Sequence, residues 1–426
     1  MRHLRWILGA WVLAAAVAEA AQPNLVLILA DDVGREAVGA YGGSSYATPQ
    51  LDRLAREGLR LDSFYACPVC HPTRVALMSG RHLSTMGNPQ WGYYPGGKAE
   101  QQTVMQELKK AGYATAMAGK YHLAMLKNDP EHPHRLGIDE YCFFGWHEGP
   151  RYWQPHVWQN GQLRDDVGDR YGPDVYSEFL IDFITRNRDR PFFAFYSMTL
   201  CHAVSNDFLP RPPHGPDGRY EEFGEMIANM DKQIGRLIDA LDEAGVRQNT
   251  LVLFIADNGS PGRVFAGHQG EKLIDGPAIL SMINGRQIPG AKGKWTDWGI
   301  RVPAIANWPG TIEPGRISDG LTEVSDILPT FCDLAGVSPA YAVDGESFAG
   351  LLTGRGETGR DWIMVQTKEG VCVRNRHWKL LSNGLLYDME NDPDEKTPIA
   401  PGSESPAAKA ARAQLKPILD RQKAKL

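Results

Sequence analysis

Two apolar runs of matching form stand out along the chain. Residues 24–32, NLVLILADD, are apolar from Leu25 to Ala30 and end in Asp31 and Asp32. Residues 250–259, TLVLFIADNG, are apolar from Leu251 to Ala256 and then give Asp257 and Asn258. Apolar residues that run on without alternating fit strands covered on both faces, as in a parallel sheet. Helical patterns lie between such runs. TPQLDRLAREG opens on Thr-Pro and stops at Gly. TVMQELKKAGYATAMAGKYHL reads as helix, glycine stop and strand, and PDVYSEFLIDFITRNRDRPFFAFYSMT as helix and strand. EEFGEMIANMDKQIGRLIDALDEAG predicts a long amphipathic helix feeding the second acid-ended strand, and VSDILPTFCDLAG another helix. This alternation predicts an α/β domain, whose ligands bind at the carboxyl ends of the strands.

The texture changes near residues 338–350. Beyond it, WIMVQTKEGVCVRNRHWKLLSNGLLYDMENDPDE holds short strand-like runs broken by Gly and Asn, which predict a small antiparallel sheet. The tail, ESPAAKAARAQLKPILDRQKAKL, predicts a helix packed on it. At the other end, MRHLRWILGAWVLAAAVAEA has a basic start, a short apolar stretch and small residues at Ala18 and Ala20, the pattern of a secretory signal. An uncleaved anchor is the other reading of that stretch. The expected division is therefore a signal over 1–20, a large N-terminal domain over 21–345 and a small domain over 346–426. The mature chain is expected to be secreted or periplasmic, with no membrane span.

Loss of Arg2, Arg5 and Glu19 with the signal moves the formal charge from -6 to -7. A mildly acidic surface argues against nucleic-acid binding but leaves room for an anion in a local basic pocket. Six scattered cysteines do not make a disulfide framework, and Cys142, Cys201, Cys332 and Cys372 read as buried thiols.

The strand ends carry the first candidate chemistry. If the two runs lie side by side, Asp31, Asp32, Asp257 and Asn258 converge. Clustered carboxylates repel one another unless a cation sits among them, and an oxygen-only set favours Ca2+, with Mg2+ the alternative. The second candidate is CPVCHPTR, residues 67–74. A Cys-x-x-Cys pair is compatible with zinc, a disulfide or a reactive thiol, but no second pair follows at zinc spacing. Pro72 suits the first turn of a helix that TRVALMSG continues to a Gly stop. Cys70 then lies at a helix N-terminus, where free N–H groups favour an anion, and Arg74 lies one turn in.

CHPTR followed by VALMSGRH resembles the signature of the sulfatase family, within the alkaline phosphatase-like superfamily. PNLVLILADDVG, YGGSSYATPQLDRLAREGLRLDSFYA, GYATAMAGKYHL, FIADNG, GIRVPAIANWPG and LYDMENDPDE resemble sulfatase segments in the expected order. The resemblance implies a large, mostly parallel or mixed sheet flanked by helices, with a small C-terminal domain. It implies that a formylglycine-generating enzyme oxidises Cys70 to a catalytic aldehyde. It implies one metal ion on Asp31, Asp32, Asp257, Asn258 and residue 70, with Arg74, Lys120 and Lys292 around the sulfate. His122 would neighbour that group, and His202 would serve the leaving oxygen. Lys294 competes with Lys292 by position. Thr73, Tyr121, Ala124 and the WGI at 298–300 depart from the usual pattern, and Trp298 is expected at the pocket wall.

In the implied reaction a hydroxyl of the hydrated aldehyde attacks sulfur, with Asp257 as base, and the second hydroxyl then expels sulfate. NPQWGYYPGG (88–97) and CFFGWHEGPRYWQPHVWQNG (142–161) are rich in aromatics, which suit a sugar or aryl group, or equally pack loops on the core. A sulfated carbohydrate is the first expected substrate and an aryl sulfate the second. A phosphoester or phosphonate hydrolase, or a non-catalytic sulfated-glycan-binding protein, are the competing readings.

Overall fold

The two acid-ended runs form neighbouring strands, Asn24–Ala30 and Thr250–Ala256. They pair in parallel, with Asn24 opposite Thr250 and Ala30 opposite Ala256. Every residue of both is buried, which is why neither run alternates. The computed structural model describes residues 22–145, 148–202, 222–269, 272–356, 360–367 and 370–425. The expected signal, residues 1–20, lies outside them. No helix among the described residues is long and apolar enough to cross a membrane.

The two strands sit inside a ten-stranded sheet. Across it run Arg316–Ser318, Leu59–Leu61, Ala304–Asn307, Thr250–Ala256, Asn24–Ala30, Phe192–Ser197, Ala114–Lys120, Glu140–Phe144, Val157–Gln159 and Gln162–Leu163. The strands from Thr250–Ala256 to Glu140–Phe144 are mutually parallel. Ala304–Asn307 runs antiparallel to both its neighbours. The result is the expected mixed α/β architecture.

Helices cover both faces. Successive strand residues point to opposite faces. The Phe192 ring meets Phe183 of the Gly172–Asn187 helix, centroids 6.2 Å apart, while Phe193 meets Phe331 of the Ile327–Leu334 helix at 5.5 Å. The Phe223–Glu243 helix packs on Gly172–Asn187, and Cys70–Ser79 on Ile327–Leu334. As Pro72 and Gly80 predict, Cys70 opens its helix and Gly80 ends it with φ of +64°.

The C-terminal segment forms the predicted antiparallel sheet, Ile363–Thr367, Gly370–Arg374, Trp378–Leu381 and Leu386–Asp388, with the Pro406–Lys423 helix against it. Its first strand alternates between two cores. Met364 faces Leu415 and Leu419 of that helix, while Ile363 and Val365 pack with Tyr65, Cys67 and Ile300 of the large part. Phe348, Leu351 and Leu352 pack in the large core. Charges are buried along the seam: His82 Nε2 lies 2.6 Å from Glu323 Oε1, and Arg360 Nη2 2.5 Å from Asp326 Oδ1. Two hairpins not foreseen from the pattern, Arg263–Gln269 with Lys272–Ala278 and Leu280–Ile283 with Arg286–Pro289, fill the stretch after the second acidic strand.

Candidate active site

Register brings the two strand ends together. Asp32 turns the chain with φ of +65°, and its N–H donates to Asp257 Oδ1 at 3.1 Å. Asn258 Nδ2 donates to Asp32 Oδ1 at 2.7 Å. Ligand atoms of Asp31, Cys70 and Asp257 all lie within 4.8 Å of one another, as do those of Asp31, Asp32 and His202. Asp31 Oδ1 and Asn258 Oδ1 are buried and accept no hydrogen bond among the described residues. Two buried oxygens left without donors, beside a set of carboxylates, fit a hard cation.

Three cations answer the three carboxylates. Lys120 Nζ lies 2.6 Å from Asp31 Oδ2, Arg74 Nη2 2.9 Å from Asp257 Oδ2, and Lys292 Nζ 2.6 Å from Asp32 Oδ2. Lys294 is exposed, so of the two competing lysines it is Lys292 that enters the cluster. Arg74 is held by neighbours with no sequence signature: Nη1 donates to Lys120 O at 3.1 Å and to Ser197 Oγ. Thr73, from the signature helix, donates its hydroxyl to Asp257 O at 2.7 Å.

The electrostatics are unbalanced. Burial acts against Asp31, but Lys120, Arg74 and Lys292 overcome it and hold the carboxyl at about 2. Burial, joined by repulsion from Asp31, pushes Asp257 up to about 7 despite Arg74. Burial also raises Asp32, against the pull of Lys292. Two of the three carboxylates thus resist ionisation, as expected of a site that needs further positive charge. Burial raises the Cys70 thiol as well. His122 and His202 are both held well below the usual imidazole value, by burial first and then by neighbouring lysines.

The histidines arrive by different routes. Lys120 ends its strand, and His122 lies beyond it with φ of +53°, so strand alternation does not pair them. The turn still sets His122 Nδ1 3.5 Å from Cys70 Sγ. Gly119, φ +98°, lets the end of this strand lie close against its neighbour, because a Cβ there would meet Ser197 O at 2.0 Å. His202 Nε2 lies 3.9 Å from Asp32 Oδ2. Cys67 and Cys70 are both free thiols, so the pair is not a disulfide here. Cys142, Cys201, Cys332 and Cys372 are buried and free, as expected.

A cavity of about 460 Å3 opens beside Cys70, lined by Val69, His71, Pro72, Trp91 and Trp295. Trp91 comes from the first aromatic-rich stretch and stays 44% exposed, against His71 and His122. The second stretch mostly packs: Phe143, Phe144 and Tyr152 are core residues, while its Trp146 lies outside the described residues. Trp298 is not at this wall. It lines a different cavity, with Nε1 3.3 Å from Asp394 Oδ1.

The family profile described as Sulfatase matches residues 23–337. The chain belongs to the sulfatase family. A second profile, described as N-sulphoglucosamine sulphohydrolase, C-terminal, matches residues 295–425. This sulfatase is 32% identical to N-acetylgalactosamine-6-sulfatase of Canis lupus familiaris over 453 residues, 89% of its own length and 82% of the relative's. It is 32% identical to arylsulfatase A of Homo sapiens over 384 residues, covering 82% and 71%. Among solved structures it resembles a protein in complex with its substrate D-glucosamine-2-N,6-O-disulfate, with a TM-score of 0.73 and 22% identity over 95% of this chain and 98% of that one. A second, in complex with k-i-k-neocarrahexaose, gives a TM-score of 0.71 and 23% identity over 95% and 92%. The fold is alkaline phosphatase-like, and the chain is a sulfuric ester hydrolase.

Proposed function

We propose that this sulfatase removes a sulfate group from a sulfated carbohydrate, with residue 70, oxidised from cysteine to formylglycine, as its nucleophile. The observation that carries this reading is the position of Cys70: first residue of its helix, beside Asp31 and Asp257, at the edge of a cavity bearing Trp91 and Trp295. Tryptophan faces suit sugar rings, and the relatives named above include a hexosamine sulfatase. Asp31, Asp32, Asp257, Asn258 and residue 70 would hold the divalent cation, Ca2+ or Mg2+, through hard oxygen donors. The cation would supply positive charge to the sulfate oxygens, and the hydrated aldehyde the attacking oxygen.

The chain's own residues do the rest. Arg74, Lys120 and Lys292 bind and orient the sulfuryl group, and their charge offsets its repulsion of an incoming oxygen. The carboxylate of Asp257, beside residue 70 and paired with Arg74, takes the proton as the hydroxyl attacks. His122, its Nδ1 3.5 Å from Cys70 Sγ, assists the release of sulfate. His202 gives a proton or hydrogen bond to the leaving oxygen. Its lowered pKa means that it must gain that proton as the anionic substrate arrives.

Mass spectrometry of the Cys70 peptide, followed by a panel of sugar sulfates, tests the reading. An unmodified thiol in fully active protein would falsify it. Aryl sulfates are the second reading, favoured by the same tryptophan cavity and by the similarity to arylsulfatase A. Maturation would need a formylglycine-generating enzyme. Export is proposed from residues 1–20 and is checked by the N-terminus of protein recovered outside the cytoplasm. The division into 21–345 and 346–426 is likewise proposed, and limited proteolysis between Leu352 and Trp362 checks it.

A further inference from the structure

A second cavity, of about 440 Å3, lies away from Cys70 between the large part and the small sheet. It is lined by Arg35, Arg286, Arg301, Arg374 and Arg376, against only Asp297 and Asp319. Arg374 Nη1 pairs with Asp297 at 2.7 Å and Arg376 Nη1 with Asp319 at 3.0 Å, while Arg286 reaches outside the lining to Asp394. Five guanidiniums therefore share three carboxylates. Arg301 Nη1 is left with a long 3.8 Å contact to Asp297, which Arg374 and Lys379 already occupy.

Arg35 is the residue the fold leaves unanswered. Among the described residues no carboxylate lies within ion-pair distance of it, and its Nε is buried without an acceptor. Its guanidinium sits 5.1 Å from the centre of the Tyr41 ring, while Arg60 sits 5.3 Å from the same ring. A ring face offsets only part of a buried charge. Burial and then Arg301 both press Arg35 towards losing its proton, and an anion between the two would reverse that pressure.

Topology fixes where this cavity stands. Ala304–Asn307 is antiparallel to both Thr250–Ala256 and Leu59–Leu61, so Leu59–Leu61 points the same way as Asn24–Ala30. Ser63, in the lining, lies just past the carboxyl end of Leu59–Leu61. The cavity is thus on the same sheet edge as the active site, three strands along, or roughly 14 Å at about 4.8 Å per strand. Two segments join them: Arg35 follows Asp32 by three residues, and Trp298 follows Lys292 by six.

We propose that this arginine cavity is a second anion subsite, which holds a sulfate or carboxylate of the same glycan chain at a distance from the ester being cleaved. The separation suits a charge carried a few sugar residues away. The subsite rests on the sulfated-carbohydrate reading for its ligand class, and it makes the preferred substrate an oligosaccharide with several charges.

The test uses full-length protein carrying Cys70→Ala, which binds without turnover. Its affinity for fully sulfated maltohexaose is measured by calorimetry at fixed ionic strength, with neutral maltohexaose as control. Adding Arg35→Ala or Arg376→Ala should weaken binding about ten-fold each and flatten its dependence on salt. Unchanged affinity in the folded variants overturns the subsite. Arg376 is half exposed, so its variant carries the test even if Arg35→Ala fails to fold. In protein with Cys70 intact, both variants should raise KM for a multiply sulfated oligosaccharide and leave that for a small aryl sulfate unchanged. If the parent cleaves no sugar sulfate while the arginine variants lose affinity, the carbohydrate reading falls and the anion subsite stands. If sugar sulfates are cleaved and affinity is unmoved, the reverse holds.

Discussion

Asp31, Asp32 and Asp257 at the active site, and Glu323 and Asp326 at the seam with the small sheet, are buried carboxylates set among cations. At the seam every carboxylate oxygen has a donor. Glu323 Oε1 accepts from Ser325 Oγ at 2.6 Å and Oε2 from Met364 N at 2.8 Å. Asp326 Oδ1 accepts from Glu346 N at 2.7 Å and Oδ2 from Glu323 N at 2.8 Å. At the active site Asp31 Oδ1 and Asn258 Oδ1 accept no hydrogen bond among the described residues. The seam's carboxylates are answered within the fold, though His82 Nδ1 and Arg360 Nε find no acceptor among the described residues, and the cluster joins two parts of the chain. The active-site cluster leaves buried oxygens of the kind that fit a hard cation. Buried charge alone does not mark function; what separates the two clusters is that only the active site leaves ligand oxygens without donors among the described residues.

The sharpest way to break this contrast is to remove one group from each cluster. Cys70→Ala should lower turnover by on the order of 10^4-fold or more, with the melting temperature unchanged. A variant that stays active would remove residue 70 from the chemistry. Glu323→Gln should do the opposite. It leaves Arg360 and His82 short of a partner and should cost about 3–5 kcal/mol of stability in chemical denaturation, while the folded fraction keeps its kcat. Equal loss of stability from both changes would erase the distinction.

The next effect lies within the open cluster. His202→Ala should depress turnover of sugar sulfates by about 10^2-fold and of activated aryl sulfates far less, since a phenolate leaves without a proton. Lys120→Ala should depress both alike, because every substrate shares the sulfuryl group. Equal losses from His202→Ala would move the leaving-group role to His122. As the acid's pKa is lowered in the free protein, kcat/KM for sugar sulfates should fall as pH rises through values below 6.5. His202→Ala should lose that limb.

The smallest effect concerns pH and metal together. Asp257 has its folded pKa raised from 3.8 to about 7, so chelated protein should lose stability as pH rises across that window. Added Ca2+ should restore most at the upper end. Glu323 has its folded pKa lowered from 4.5 to about 2, mainly by Arg360 and His82 against burial, so its contribution is present above 4.5 and lost as pH falls towards 2, with or without metal. Asp326 at the seam is also raised to about 7 by burial, so melting temperatures with and without chelator separate the clusters by the part of the upper-window loss that Ca2+ reverses.

The open cluster was legible in the sequence because its parts sit where local rules put them. An apolar run must end somewhere, and Asp31 and Asp257 mark the ends; Pro72 and Gly80 bracket the helix of Cys70. His122 is brought to Cys70 by a turn rather than by strand alternation, so no periodicity marked it and only the resemblance of GYATAMAGKYHL did. The seam was not legible. Glu323 meets His82 across 241 residues and Arg360 across a change of domain texture, and no periodicity links such partners. The hairpins between Arg263 and Pro289 escaped for a related reason: their pairing rests on turns that the apolar pattern does not mark. Trp91 was visible as one aromatic among many, and only its exposure beside His71 and His122 separates it from packing residues.

Cys70 is only 3% exposed, and part of what covers it arrives late in synthesis. Asp257 and the strand before it are made almost two hundred residues after Cys70, about 10–40 s later at roughly 5–20 residues per second. Until then the central sheet lacks one of the two strands beside Asn24–Ala30, and the CHPTR segment has no Asp257 carbonyl to anchor Thr73. On the proposed chemistry, an oxidising enzyme must reach the thiol in that interval. The fraction of active molecules would then be decided by a race between modification and closure of the fold, and slower translation or slower folding would raise it without any change in the finished protein.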